Sequence, residues 1–135
     1  MPTAYRHTTG AFKLVLPEDW EYAVRRSSVA FFDPSNGVGA MNVSAMIPQK
    51  GVPVDPTLVV LDFAPMKVRA EIGITSFMTD TRANAVYTEY EINGDAWRLW
   101  VFCGPTRVVV VSYNCKRDSK GIVAVDQIVA SIVAA

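Results

Sequence analysis

Residues 85–113 read AVYTEYEINGDAWRLWVFCGPTRVVVVSY, which is three alternating runs joined by two short turns. Asn93-Gly94 separates the first two runs, and this dipeptide favours a type I′ turn because both of its residues tolerate positive φ. Pro105-Thr106 is a candidate for the second two-residue turn. The segment therefore predicts a three-stranded antiparallel meander.

The two turns also predict which residues face one another, since a turn of known length sets the register of its strands. The first turn pairs Glu89 with Arg98, and the second pairs Arg98 with Tyr113. The other predicted pairs are Ile92 with Asp95, Tyr90 with Trp97, Tyr87 with Trp100 and Cys103 with Val108.

Both faces of the predicted meander are largely apolar, because alternate residues of a strand point to opposite sides of the sheet. One side holds Val86, Tyr90, Ile92, Trp97, Leu99, Val101, Val108 and Val110. The other side holds Tyr87, Trp100, Phe102, Val109, Val111 and Tyr113. We therefore expect each face to be covered, by helices or by a second layer of strands.

Four further strands are predicted before the meander, in the segments 11–16, 20–25, 29–32 and 38–46. Each is an apolar or alternating run that turn-forming residues bound. Pro17 ends the first of them, and the turn formers at 33–37 end the third.

Two helices are predicted as well. Asp55 can cap the first, and Pro56 suits its first turn because a helix leaves that N–H without a partner in any case. Apolar residues then recur at spacings of three and four, with a kink expected at Pro65 and a stop at Gly73. They are Leu58, Leu61, Pro65, Val68 and Ile72. The second helix is predicted from about 119 to about 133, with a buried stripe of Ile122, Val125, Val129 and Ile132.

The predicted fold class is α+β. We expect an antiparallel sheet of about six to seven strands, covered by a central helix and a C-terminal helix. The length of 135 residues suits a single domain spanning residues 1–135.

The order of these elements resembles a known family. The phrase Leu14-Val15-Leu16-Pro17-Glu18-Asp19-Trp20 is similar to the strand, Pro, turn, Trp opening of the PsbP-like superfamily. The early strands, central helix, meander and terminal helix with Val129-Ala130-Ser131-Ile132 agree with it over nearly the whole chain. The superfamily includes the photosystem PsbP proteins, the Ran-binding Mog proteins, and the bacterial DcrB-like lipoproteins and secretion adaptors.

The resemblance implies a PsbP-like sandwich and a non-catalytic role, since the members are mostly subunit stabilisers, GTPase regulators or chaperones. A fold does not by itself determine a function, and no member's functional residue set matches this sequence, so none is transferred. The N-terminal region has no lipobox cysteine, so a bacterial adaptor or another relative fits better than a lipoprotein.

Charge and hydropathy disfavour two classes of partner. Thirteen basic residues balance thirteen acidic ones, so no net field attracts nucleic acid or anionic lipid. No run approaches the roughly 18 apolar residues of a membrane span, and the N-terminal residues do not read as a secretory signal. We therefore expect neither nucleic-acid binding nor a membrane span.

The two cysteines indicate a reducing compartment. The predicted register puts Cys103 and Cys115 on opposite faces of neighbouring strands, beyond the reach of a disulfide. Two buried thiols fit a cytoplasmic location. His7 is the single histidine and lies in a segment expected to be mobile, so neither a metal site nor another cofactor is predicted.

A catalytic set cannot be assembled from the sequence. The motifs of serine hydrolases, dinucleotide sites, P-loops and zinc proteases are absent from it. A Ser–His or Cys–His pair would have to use His7. The chain is therefore predicted not to be an enzyme.

The candidate binding site is a row across the meander formed by Glu89, Arg98 and Tyr113, with Tyr87 and Trp100 beside it. An arginine held by a carboxylate and flanked by aromatic rings suits a carboxylate or planar ligand. Arg, Trp and Tyr also dominate the hot spots of protein interfaces. The alternative is a cross-strand ion pair at the sheet edge that needs no ligand.

Two functions remain open. The first is a module (an adaptor, chaperone or regulatory subunit) that binds another protein through the sheet face or the helix–sheet groove. The second is a small-ligand carrier with a pocket lined by these five residues. A closed core with a flat apolar patch favours the first, and a cavity of about 300 Å³ or more around Arg98 favours the second. A homodimer is a further expectation, because edge strands need protection.

Overall fold

The structure is a computed structural model that describes residues 2–35, 39–49, 54–64, 75–78, 84–116 and 122–135, with the backbone alone for 75–78, 84, 116 and 122. The strands are β1 (Thr3–Arg6), β2 (Phe12–Leu16), β3 (Glu21–Val24), β4 (Val29–Phe32), β5 (Ala40–Met46), β6 (Thr75–Met78), β7 (Asn84–Ile92), β8 (Asp95–Cys103), β9 (Val108–Lys116) and β10 (Val133–Ala134). The helices are α1 (Pro56–Phe63) and α2 (Ile122–Ala130).

The strands form two antiparallel sheets. One has seven strands in the order β3-β4-β5-β9-β8-β7-β6, and the other has three in the order β1-β2-β10. The meander β7-β8-β9 lies inside the larger sheet, between β6 and β5. The predicted α+β class and sheet size are confirmed, and the smaller sheet supplies a second layer of strands.

The register of the meander matches the prediction. Asn93 has φ 53° and Gly94 has φ 86°, as a type I′ turn requires. Glu89 faces Arg98, and Arg98 faces Tyr113. The remaining predicted pairs are also present, because a two-residue turn leaves the strands no other alignment.

One face of the meander, here called the core face, builds the main core together with the smaller sheet and α2. In β2 the buried and exposed residues alternate, so one side of that strand points into this core. The largest fully buried side chains include Tyr113, Phe31, Phe102, Leu14, Met41, Ile128 and Ile132. Met41 is therefore a core residue.

The opposite face of the meander is here called the α1 face, because α1 packs against β7 and β8. Val60 of the helix is fully buried in a cluster with Val86, Leu99, Val101, Val108 and Val110. The helix begins as predicted, with Oδ1 of Asp55 accepting the N–H of Thr57 at 3.0 Å and Pro56 in the first turn. The meander is thus packed on both sides.

The end of α1 follows from its sequence. The helix ends at Phe63, and Ala64 is extended with ψ 140°. Pro65 comes next, and a proline disfavours helical conformation at the residue before it. The predicted kink at Pro65 and the stop at Gly73 lie outside the described residues.

The buried side of α1 differs from the predicted stripe. Val60 is its buried residue, whereas Leu58 is 58% exposed. The predicted spacing counts Leu58 and Leu61 as one face, but a helix of eight residues has too few turns for periodicity alone to identify its buried side.

Both ends of the described chain contain a strand that the sequence pattern does not predict. The segment with His7 is expected to be mobile, but it forms a hairpin: β1 pairs with β2, and the His7 N–H donates to the Phe12 carbonyl at 3.0 Å. After α2 ends at Ala130, β10 pairs with β2, so the predicted helix end at about 133 is wrong. Strands this short give little local signal and depend on long-range pairing.

Candidate functional site

The register of the meander brings the five predicted site residues to the core face. Tyr87 faces Trp100 across β7 and β8, with ring centroids 5.4 Å apart. The next row along this face is Glu89, Arg98 and Tyr113. The predicted row is therefore present in the backbone.

Burial separates these five residues into two groups. Trp100 is 4% exposed and Tyr113 is 1% exposed, and both belong to the main core. Glu89 is exposed, and Tyr87 and Arg98 are half-buried. The five therefore do not line one pocket, because a ligand could reach Trp100 or Tyr113 only by opening the core.

Arg98 is paired with the C-terminal helix. Its Nη1 lies 3.1 Å from Oδ1 of Asp126, and the two side chains are 22% and 56% exposed. The partner expected from the register is Glu89, which faces Arg98 across the two strands. The strand that carries Arg98 has neighbours on both sides, so Arg98 is not at the sheet edge, and its ion pair joins the sheet to α2.

Glu89 instead accepts a hydrogen bond from Tyr87. The Tyr87 hydroxyl donates to Oε2 of Glu89 at 2.6 Å. Burial raises the pKa of Tyr87 well above its usual value, and the hydrogen bond to Glu89 raises it further. The positive charge of Arg98 opposes this rise in the pKa without cancelling it. Tyr87 therefore stays a neutral donor and orients the Glu89 carboxylate.

A cavity of about 320 Å³ lies toward the turn end of the β7–β8 hairpin and is here called the hairpin cavity. It is lined by Glu89, Tyr90, Glu91, Ala96, Trp97 and Arg98. Its volume reaches the threshold of about 300 Å³ for a small-ligand site, but it is an open groove and not an enclosed pocket. It shares Glu89 and Arg98 with the predicted site and replaces the buried aromatics with Tyr90 and Trp97.

Tyr90 and Trp97 form a stacked pair across the hairpin. Their ring centroids are 6.1 Å apart and their planes differ by 6°. Both are half-buried, whereas Val86 and Leu99 further along the same face are buried in the α1 cluster. The register predicts this pair, but no local pattern indicates how far along the face the covering elements reach.

The two cysteines are free and lie on opposite faces, as the register predicts. Cys115 is buried in the main core, and Cys103 packs against the α1-face cluster. Burial raises the pKa of the Cys103 thiol, and the negative charge of Asp55 adds to that rise. Cys103 is therefore a poor nucleophile.

Metal-binding clusters and membrane-spanning helices are absent from the described ranges. Within them, no group of three or more His, Cys, Asp or Glu side chains is arranged to hold a metal ion. Neither of the helices described there is long and apolar enough to cross a bilayer.

Comparison with known proteins identifies the fold. No family model matches the chain, and no curated protein sequence matches it significantly. Among solved structures, the cyanobacterial PsbP (CyanoP) of Synechocystis sp. PCC 6803 matches with a TM-score of 0.75 and 12% identity, over 99% of this chain and 92% of that one. A protein of Bacteroides thetaiotaomicron VPI-5482 matches with a TM-score of 0.71 and 14% identity, over 98% of this chain and 48% of that one.

A third match is LpqN, described as involved in cell envelope biogenesis of Mycobacterium tuberculosis. Its TM-score is 0.53 and its identity is 16%, over 98% of this chain and 90% of LpqN. The chain therefore has a PsbP-like fold, as its sequence suggests. At these identities the likeness concerns the fold alone.

Proposed function

We propose that this chain is a non-catalytic protein-interaction module whose partner binds the turn end of the β7–β8 hairpin. The observation that carries the proposal is the stacked, half-buried pair of Tyr90 and Trp97 on the α1 face, with Arg98 on the core face of the same hairpin end. These three residue types are enriched at interface hot spots, because each offers a large contact area with a polar end. An adaptor, a chaperone or a regulatory subunit would use such a surface.

Two charged side chains on the core face of the same hairpin end are held in place. Asp126 holds the Arg98 guanidinium, and Tyr87 holds the Glu89 carboxylate. Side chains that are ordered before binding lose less entropy when the complex forms. Charges of both signs on the face opposite the aromatic pair also favour a partner that contacts both faces of this hairpin end with complementary charges.

The residues of this surface support a binding role over a catalytic one. Among the described residues that line the hairpin cavity, the titratable groups are Glu89, Tyr90, Glu91 and Arg98. They do not include a serine, threonine or cysteine nucleophile paired with a base. The PsbP protein and the cell-envelope protein LpqN of the same fold fit an accessory role.

Site-specific photo-crosslinking tests the proposal. A photoreactive phenylalanine analogue replaces Trp97 in one variant and Phe63 in a control variant. Phe63 is 47% exposed and lies on α1, outside the lining of the hairpin cavity. In native cells we expect a defined, stoichiometric crosslinked protein from position 97 and none from position 63.

The crosslink is then competed with unmodified protein. Excess wild-type chain should suppress it, and excess Trp97→Ala should not, provided that the variant has a native circular dichroism spectrum. Equal crosslinking from both positions, or equal competition by both proteins, would overturn the proposed surface.

A second candidate function is binding of a small ligand, and the volume of the hairpin cavity favours it. A planar ligand would stack on Trp97, or a carboxylate ligand would pair with Arg98, since the two side chains point to opposite faces of β8. Native mass spectrometry of protein purified from its own cells tests this alternative. An adduct that is lost on denaturation and absent from Trp97→Ala would support the carrier, and an unliganded mass together with a protein crosslink would reject it.

Two further parts of the proposal concern location and self-association. Two free cysteines are in keeping with a cytoplasmic location, which cell fractionation tests.

The edge strand β3 has four exposed residues, and pairing of two such edges would give a homodimer. If the protein sediments as a monomer even at high concentration, the homodimer is rejected.

A further inference from the structure

A second cavity, of about 310 Å³, lies where the two sheets meet and is here called the inter-sheet pocket. Three turns converge on it. The β1–β2 turn contributes His7, the β3–β4 turn contributes Arg25 and Arg26, and the β8–β9 turn contributes Arg107. The pocket is separate from the hairpin cavity, with which it shares no lining residue.

The charge of this pocket has one sign. Its charged lining residues are Arg25, Arg26 and Arg107, in a protein with no net charge. Nη1 of Arg107 donates to the Thr106 carbonyl at 3.0 Å, which leaves most of its five N–H donors for another acceptor. Within the described residues, no carboxylate forms an ion pair with these three guanidinium groups. Three arginines that have no carboxylate partner among the described residues favour an anion.

His7 adds a ring N–H donor to the same pocket. The Thr9 N–H donates to Nδ1 of His7 at 3.3 Å, and the Thr9 hydroxyl lies 2.8 Å from the same atom. Because Nδ1 accepts, the proton of the neutral ring is on Nε2. The ring stacks on Phe12 with centroids 4.9 Å apart, which fixes its orientation.

The rest of the lining is apolar. Val29 and Val43 are 1% exposed and form part of the floor, whereas Val24 is 67% exposed and Ile47 is 74% exposed. The side chains of Val24 and Ile47 are therefore exposed to solvent in the same pocket as the arginines. An apolar group bound there would cover them and would gain the corresponding hydrophobic free energy.

We propose that the inter-sheet pocket binds a small organic anion with an apolar body. The anionic head, a carboxylate or a phosphate monoester, would accept hydrogen bonds from Arg25, Arg26 and Arg107. The apolar body would lie against Val24 and Ile47. The volume of about 310 Å³ is at the lower end of the range for small-molecule sites, so the ligand is compact.

Calorimetric titration of the whole chain tests the proposal with octanoate and octyl phosphate as probes. Octanol lacks the charge, and acetate lacks the apolar body. We expect at least one of the two long-chain anions to bind, with an affinity that falls as salt rises, and we expect octanol and acetate to bind much more weakly. The preferred anion identifies the head group.

Three variants locate the site. Arg107→Gln and Arg25→Gln should each lower the affinity for the anion by roughly tenfold, because each removes a charge-assisted hydrogen bond. Lys13→Gln removes the same charge from an exposed position of β2 outside this pocket and should leave binding unchanged. A further pair tests the apolar wall: Ile47→Ser should weaken octanoate binding, and Leu58→Ser, at an exposed apolar position of α1 outside this pocket, should not.

Several results would overturn the proposal. They are failure of both long-chain anions to bind, binding of octanol as tight as that of octanoate, and equal loss in Lys13→Gln and Arg107→Gln. A cooperative thermal unfolding transition, measured for each variant, is the check that the variant is folded. Since Arg25 is exposed and its substitution spares the core, the Arg25→Gln result stands even if Arg107→Gln is unstable.

Discussion

Nη1 of Arg98 lies 3.1 Å from Oδ1 of Asp126, a contact between the middle strand of the meander and the C-terminal helix, 28 residues further along the chain. It joins the two elements beside the hairpin cavity. The guanidinium is 22% exposed and the carboxylate is 56% exposed, so water screens the pair. Its main effect is therefore to orient Arg98, with a small effect on stability.

A double-mutant cycle of Arg98→Ala and Asp126→Ala measures this pair. We expect a coupling free energy below about 1 kcal/mol in urea unfolding, because half-exposed pairs gain little in high dielectric and lose side-chain entropy. The four proteins of the cycle are their own control. A coupling above about 2 kcal/mol would mean that the pair is effectively buried.

Alkaline pH should destabilise the fold through its tyrosines. Burial raises the pKa of Tyr5, Tyr87 and Tyr90 above the usual 10.0. The unfolded chain loses these protons first as the pH passes about 10, while the folded chain keeps them, so the free energy of unfolding falls with rising pH. Urea midpoints measured from about pH 9 to about pH 11 should show this decrease.

Tyr87→Phe should make that alkaline decrease shallower, since it removes one of the three groups. The wild-type chain is the control, because Tyr22→Phe would also remove a group that raises the pKa of Tyr5. If Tyr87→Phe loses stability as steeply as the control between about pH 9 and about pH 11, the raised pKa of Tyr87 is not coupled to folding.

Gly104→Ala should destabilise the protein by about 1–3 kcal/mol through overpacking. A Cβ at this position would lie 2.7 Å from the Ala134 carbonyl oxygen and closer still to that of Ala135. The N–H groups of Thr106 and Arg107 donate to Ala135 at 2.8 and 2.7 Å. We therefore expect faster hydrogen exchange at these two amides.

Gly10→Ala separates this crowding from backbone strain. Gly10 has φ +76°, and a Cβ there would meet nothing within 4 Å. The Gly10→Ala substitution should lower the free energy of unfolding by about 1 kcal/mol, because alanine disfavours the left-handed conformation. It should leave hydrogen exchange at the Thr106 and Arg107 amides unchanged. Equal exchange in the two variants would contradict the close packing at Gly104.

Asp55→Asn should make Cys103 more reactive. The substitution keeps the helix cap, since asparagine also caps well, but it removes the charge that raises the pKa of Cys103. Alkylation by iodoacetamide near pH 8 should become faster by less than about tenfold, which corresponds to less than one pKa unit. The measurement uses a Cys115→Ala background.

Asp62→Asn on the same helix is the control for Asp55→Asn and should leave the alkylation rate unchanged. A rate that is unchanged or slower in Asp55→Asn would show that burial alone sets the reactivity of Cys103.

Much of the fold is predictable because it depends on short-range signals. Asn93-Gly94 aligns β7 with β8, and that alignment alone is enough to place Glu89 opposite Arg98. Asp55 and Pro56 likewise locate the start of α1. By contrast, β1 and β10 have four and two residues, and their pairing with β2 leaves no local pattern.

The candidate site is only partly predictable. The register places Tyr87 opposite Trp100, but burial of Trp100 and Tyr113 depends on what packs over the core face. Asp126 lies 28 residues from Arg98, and no spacing rule connects them. The strand alignment predicts the contact of Tyr90 with Trp97 but not its accessibility.

The α+β class, the meander and its register follow from the sequence alone, because turn geometry and strand alternation are local properties of the chain. The pairing of Arg98 with Asp126, the accessibility of Trp97, and the convergence of Arg25, Arg26 and Arg107 on one pocket depend on tertiary packing. Burial and charge proximity arise where distant segments pack together, and a local pattern of residues carries no record of that packing.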